Sequence, residues 1–379
     1  MGSALEIALL RAATRSGGVG RAWASRLDLV RSAGLRYALH RRREQAKENE
    51  IGSRALERFY RDAWTEAAAD LGAEVSPLHS GFLEIRRGDL VTRVWRQLSA
   101  LDEAVSLRLA LDKTVVHELL KKRGIAVPDY AEVDYRDAAG AMKFIAASGG
   151  PCVVKPANHG RGGAAVTGCV ESPRHLARAA LSAARLDTRL LIERQVPGEM
   201  YRLLYLDGEL LDVVLRQAPH VLGDGKSTIV ELIIQENERR LAAARPRALI
   251  TVDLDCLLAL EAGGRSPSTV PASGERVRVK TASSENGEQE NHTMRSFSPD
   301  VVDECAEAVR AVGLRLSGVD LVTPDINRPI AEAGGAIIEV NGTPGFQYHY
   351  EVADREHATR IAIPVLQRVF DEVGAAKTS

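Results

Sequence analysis

The spacing of apolar positions divides the chain into short helical and extended runs. Leu56, Phe59, Tyr60 and Trp64 recur at helical spacing, and short segments at 73–75 and 82–85 follow, where helix and strand alternate. Residues 51–110 therefore read as a small α/β lobe in which nothing looks catalytic. The run 111–128 predicts a helix with Leu111, Val115, Leu119 and Leu120 on one face. Its end is marked by Lys121 to Arg123 at the negative pole, Gly124 as a left-handed cap and Pro128 beyond it. Extended runs follow at 151–156 and 164–170, separated by a glycine-rich turn, and then at 189–196, where Pro197 and Gly198 mark a bend. Segments 201–206 and 209–216 flank Asp207-Gly208, a strong hairpin signal. Two late strands, 317–324 and 336–341, each carry an acid among apolar residues.

Length supports several lobes, because 379 residues exceed what one compact core holds. The expected organisation is an α/β (α+β) fold with a basic helical extension over 1–50, the small lobe over 51–110, a central lobe over 111–196 and a C-terminal lobe over 197–379. A net charge of −1 and few aromatics argue against a general nucleic-acid binder. No apolar run reaches the length of a membrane span. Cys152, Cys169, Cys256 and Cys305 lie far apart without zinc-like spacing, so they read as reduced, mostly buried thiols of a cytoplasmic protein. The first 43 residues hold nine arginines against Glu6 and Asp28, interleaved with leucines and Trp23. Two readings of this amphipathic segment stay open: a helix docked on the body or on a second subunit, as in a homodimer, and a peripheral membrane or protein contact.

Chemistry concentrates in a few places. Lys155 ends a β-branched strand and is followed by Asn158-His159-Gly160-Arg161-Gly162-Gly163, a strand-turn-strand flap whose amides can face phosphate oxygens. An ordinary hairpin with a surface lysine fits the same residues. Lys113 opens a helix, where a cation opposes the local dipole; contact with a phosphate is one reason to place it there, and a solvated side chain is the plain alternative. The segment His220-Val221-Leu222-Gly223-Asp224-Gly225-Lys226-Ser227 ends like a phosphate loop, but His220 stands where the first glycine is required, so that pattern fails. Asp320, Glu339 and Asn341 supply hard oxygen donors suited to Mg²⁺, with Glu339 and Asn341 on one strand face. A salt-bridged structural pair of acids is the other reading.

In this order, Lys155-Pro156 with the glycine flap, His220 to Thr228, Gly318-Val319-Asp320-Leu321-Val322-Thr323-Pro324-Asp325 and Glu339-Val340-Asn341-Gly342-Thr343-Pro344-Gly345-Phe346 resemble the ATP-grasp fold. The pattern is most similar to the ATP-grasp module of cyanophycin synthetase, with D-alanine:D-alanine ligase and glutathione synthetase further off. It extends from about Leu111 to about Tyr350.

The resemblance implies an ATP-dependent carboxylate-amine ligase that forms an amide or peptide bond through an acyl phosphate, with an amino acid or peptide among its substrates. An ATP-grasp kinase and a nucleotide-binding scaffold are the alternatives. It implies ATP and two Mg²⁺, for which Mn²⁺ can substitute. Lys113, Lys155 and the loop His159, Gly160, Arg161, Gly162 and Gly163 would hold the phosphates, and Glu193 and Val196 the adenine. Arg202 and Arg216 would lie near the reacting phosphate, and Asp320, Glu339 and Asn341 would ligate metal. Met200 stands where the cyanophycin-type pattern has an acid, leaving Glu199 as the substitute ribose contact. Residues 283–292 and 347–350 also depart from that pattern, so the expected substrate is not cyanophycin. The chain lacks the length for that enzyme's Mur-ligase-like module.

Overall fold

The computed structural model describes residues 17–158, 165–243 and 248–378, with side chains before residue 51 described only in part. His159, Gly160, Arg161, Gly162 and Gly163 of the expected flap, and residues 1–16 of the basic extension, lie outside the described residues. The first helix, α1 (Gly17–Asp70), crosses residue 50, so the extension and the following lobe share one helix. It breaks at Gly34, whose φ of 85° and ψ of 157° a residue with a Cβ rarely adopts. Beyond the break, Tyr37 is buried, and its hydroxyl accepts from the Val252 amide at 2.7 Å. Glu48 accepts from the Leu249 amide at 2.9 Å. Tyr37 and Glu48 thus tie this part of the helix to residues 249–252.

Strands β1 (Glu74–Pro77), β2 (Phe82–Arg87) and β3 (Leu90–Trp95) form an antiparallel sheet. The sequence pattern missed β3, which follows the turn at Gly88, with φ of 57°. Tyr60, Trp64 and Ala67 of α1 pack with this sheet and with Phe346, Leu366 and Phe370 from the far end of the chain. Helices α2 (Ala104–Leu109) and α3 (Lys113–Lys122) come next. Asp112 caps α3 by accepting from the Val115 amide, and Gly124 takes φ of 72°. The expected face needs correction: Val115 is exposed, whereas Lys113, Val116, His117 and Leu120 are buried. A polar pair on the buried side hid the true register from a purely apolar reading.

The central lobe has β4 (Tyr130–Asp134), α4 (Ala138–Ala147), β5 (Cys152–Pro156), β6 (Thr167–Val170), α5 (Pro173–Ala183) and β7 (Arg189–Arg194). Its four strands lie in the order β4-β7-β5-β6, all pairs antiparallel. Strand β6 begins later than the apolar run had indicated.

The chain then passes into β8 (Glu199–Leu206) and β9 (Glu209–Arg216). Asp207 and Gly208 both have positive φ, 50° and 82°, as a two-residue primed turn requires. An insertion follows: β10 (His220–Leu222), α6 (Ile229–Ala243), α7 (Leu254–Ala262) and β11 (Arg276–Arg278), around a small core that includes Tyr37. The segment that imitates a phosphate loop is a turn and a helix cap. Asp224 accepts from the Lys226 and Ser227 amides, and Thr228 and Glu231 cap α6 reciprocally. Finally β12 (Asn291–Thr293), α8 (Pro299–Val312), β13 (Leu316–Thr323), β14 (Ala336–Asn341), α9 (Gln347–Tyr350) and α10 (Ala362–Thr378) complete the lobe. Its sheet order is β12-β9-β8-β13-β14. All four cysteines are free, with Cys169 partly exposed and the others buried. Among the described residues no helix is long and apolar enough to cross a membrane.

Candidate active site

Strand β7 belongs to the four-stranded sheet and β8 to the five-stranded one, so residues 195–198 form a hinge between the two. Gly198 has φ of 112°, and a Cβ there would stand 2.2 Å from the Thr323 carbonyl. Only glycine fits this bend. Between the sheets lies a cavity of about 590 Å³. Lys113 and Lys155, Glu193, Val196 and Glu199, Arg202 and Arg216, and Asp320, Glu339 and Asn341 all line it. Residues from six strands, one helix and the hinge therefore converge, though they are spread over more than half of the chain.

Sheet register explains the acid pair. Arg202 of β8 faces Asp320 of β13, which faces Glu339 of β14, so the three side chains form one row. Two carboxylates directly opposite each other repel. Each is met by a cation: the Arg202 guanidinium binds Asp320 with two donors, one of them at 2.8 Å, and Lys113 Nζ lies 3.0 Å from Glu339 Oε1. The second contact accounts for a lysine in the first turn of α3. Burial works to raise the Glu339 carboxyl, but Lys113 and then Lys155 hold it down to about 2. Asn341 Nδ2 donates to Asp320 Oδ2 at 3.3 Å.

On the opposite sheet, Lys155 Nζ lies 2.7 Å from Glu193 Oε1, both nearly inaccessible to solvent. His117 stands 3.6 Å from the same oxygen and 5.1 Å, between ring centroids, from Tyr130. Burial, opposed by Glu193 and aided by Lys155, pushes its imidazole down to about 4, so it is neutral at pH 7. No sequence pattern pointed to this residue, because an isolated histidine on a helix carries none.

Arg216 differs from the other cations. It is 4% exposed, yet among the described residues no carboxylate lies within ion-pair distance. Among the described residues its Nε has no hydrogen-bond partner, and its Nη2 donates to the Ser283 carbonyl at 3.4 Å. The Tyr348 ring lies over its guanidinium at 4.0 Å. Burial pushes this guanidinium's pKa down from its ordinary value, and Arg202 adds to the push. A desolvated cation with open donors at a cavity wall is a receptor for an anion.

Other wall residues lay outside the expected set. Gln97, from the lobe that had looked devoid of chemistry, lines the cavity. Gln347 does too, and its side chain is held by the Tyr60 hydroxyl at 2.9 Å, while that hydroxyl accepts from the Phe346 amide at 3.1 Å. The first lobe thus buttresses the floor of the site.

Among the described residues no group of three or more histidine, cysteine, aspartate or glutamate side chains is arranged to hold a metal. Asp320, Glu339 and Asn341 form a smaller set of two carboxylates and an amide. Its hard oxygens suit Mg²⁺, and both carboxylates already sit where positive charge is favoured.

The two-sheet architecture with a nucleotide-sized cleft is the ATP-grasp fold, and the chain is related to the ATP-grasp ligases. Cyanophycin synthetase from Trichormus variabilis is 33% identical over 253 residues, 65% of this chain and 27% of that enzyme. The one from Geminocystis herdmanii is 33% identical over 289 residues, 74% of this chain and 32% of its own. The chain therefore spans about a third or less of the length of these curated relatives. The crystal structure of a bifunctional glutathione synthetase from Pasteurella multocida shares the fold, with a TM-score of 0.53 at 24% identity over 84% of this chain and 46% of that one. No family model matches.

Proposed function

We propose that the chain is an ATP-dependent, ADP-forming ligase that activates a carboxylate as an acyl phosphate and transfers it to an amine, with an amino acid or peptide among the substrates. Arg216 carries the reading. A buried guanidinium with no carboxylate partner among the described residues, in the same cavity as two lysines and an acid pair, is suited to the negative charge where a carboxylate meets a phosphoryl group. Lys113 and Lys155 hold the phosphates, Val196 and Glu193 frame the adenine, and Glu199 reaches the ribose. Asp320, Glu339 and Asn341 hold Mg²⁺, which supplies charge neutralisation on the phosphates. Arg202, engaged by Asp320 in a fork-to-fork pair, orients that carboxylate and adds positive charge near the reacting centre.

The test is ADP release from a panel of amino-acid and peptide carboxylates paired with small amines, in the presence of ATP and Mg²⁺. The expected result is release that requires both an acid and an amine and that falls on the order of 100-fold or more in Arg216→Ala. Accumulation of a stable phosphorylated acid would make the protein a kinase. ATP binding with no acid-dependent release across substrates would make it a scaffold.

A further inference from the structure

Two consecutive residues of α9 grip one face of β9. Asp212 and Arg216 are four apart on β9, so their side chains leave the same face, roughly 13 Å from each other. On α9, His349 Nδ1 lies 2.7 Å from Asp212 Oδ2, with both side chains essentially sealed from solvent. The preceding residue, Tyr348, covers Arg216. Asp212 therefore fixes one point of the helix, and the next ring along falls on the guanidinium. Backbone bonds tie the same turn down: the His349 amide donates to the Phe346 carbonyl, and the His349 carbonyl accepts from Thr359.

This pair is expensive to bury for packing alone. Among the described residues Asp212 Oδ1 and His349 Nε2 have no hydrogen-bond partner, and an apolar pair of the same size would fill the space without that cost. What an apolar pair lacks is direction. We propose that Asp212 and His349 are positioning residues that set the register of α9 on β9, so that Tyr348 holds the Arg216 guanidinium facing the cavity. The proposal deepens the ligase reading, since the anion that Arg216 receives there is the carboxylate undergoing activation.

The test uses full-length protein labelled with ¹⁵N and the Nε–H resonance of Arg216, identified by its loss in Arg216→Lys. A ring stacked on a guanidinium displaces this resonance by its ring current, and Tyr348→Leu should abolish the displacement. His349→Phe should move the resonance the same way, although the His349 imidazole is bonded to Asp212 and the ring over Arg216 is that of Tyr348. Because that substitution leaves Asp212 buried without its partner and can prevent folding, the double variant Asp212→Leu/His349→Phe, which exchanges the polar pair for an apolar one, provides the same comparison. In the activity assay these variants should raise KM for the acid by about tenfold or more while nucleotide affinity is unchanged. If the folded double variant keeps the Arg216 resonance in place, the pair only fills space and the proposal is overturned. A resonance that moves as expected in a protein with no acid-dependent ADP release would uphold the positioning role and remove the ligase reading instead.

Discussion

At the scale of single residues, the site depends on how buried charges are matched. Glu339 is held ionised by Lys113 and Lys155. Glu339→Gln keeps the shape but removes the charge needed for a metal ligand, so ADP formation should fall by at least about 100-fold with the circular dichroism spectrum unchanged. Normal turnover in the folded variant would remove Glu339 from the metal site. His117 gives a pH signature. Its imidazole titrates near 6.5 in an unfolded chain but at about 4 in the fold. As pH falls through that window the unfolded chain takes up a proton that the folded chain does not, so stability declines by up to about 1.4 kcal/mol per pH unit and levels off near 4. Urea unfolding between pH 7 and 4.5 should show this slope in the wild type and its loss in His117→Gln; parallel curves would contradict it. Legibility at this scale followed local context. Asp320 and Glu339 stood out because a charge inside an apolar strand needs a partner. Tyr60 did not, since its partner Gln347 lies 287 residues away and a tyrosine at helical spacing reads as core.

At the scale of elements, strands β9 and β14 were evident in the sequence with their observed limits, and β8 was evident from the Asp207-Gly208 turn although it starts at Glu199, two residues before the expected 201. Strand β3 and the buried face of α3 were not, because a turn at Gly88 and a buried lysine and histidine break the apolar rhythm. Two elements give sharp tests. In α1, Tyr37→Ala removes a ring packed against Val221, Ile229 and Val252. It should cost about 3 kcal/mol in urea unfolding, and a protein starting near residue 50 should be destabilised likewise. Salt-sensitive binding of the full chain to anionic vesicles, lost in the shortened protein, would instead give the basic segment a membrane role. At the hinge, Gly198→Ala forces a methyl group against the Thr323–Pro324 backbone. Nucleotide affinity should drop along with stability, as measured by titration with a non-hydrolysable ATP analogue, and unchanged affinity would mean that the hinge does not frame the nucleotide.

At the scale of the whole molecule, two sheets joined by one hinge present charge of both signs to a shared cavity, and the first lobe braces its floor through Tyr60. Order along the chain made the architecture readable: a lysine strand, a hinge, an arginine hairpin and two late acids follow one another as in the ATP-grasp fold that they resemble. The insertion that carries residues 217–290 was not readable, and neither was the substrate, because the residues that would select it, such as Gln97, Ser283 and Tyr348, belong to loops and short helices without periodicity. The intermediate that defines the proposed chemistry is an acyl phosphate formed from ATP. Its most direct measurement is trapping: with a carboxylate substrate, ATP, Mg²⁺ and hydroxylamine in place of the amine, the protein should produce a hydroxamate together with equal amounts of ADP and phosphate. Release of AMP and pyrophosphate with the hydroxamate would show an acyl adenylate instead and contradict the account.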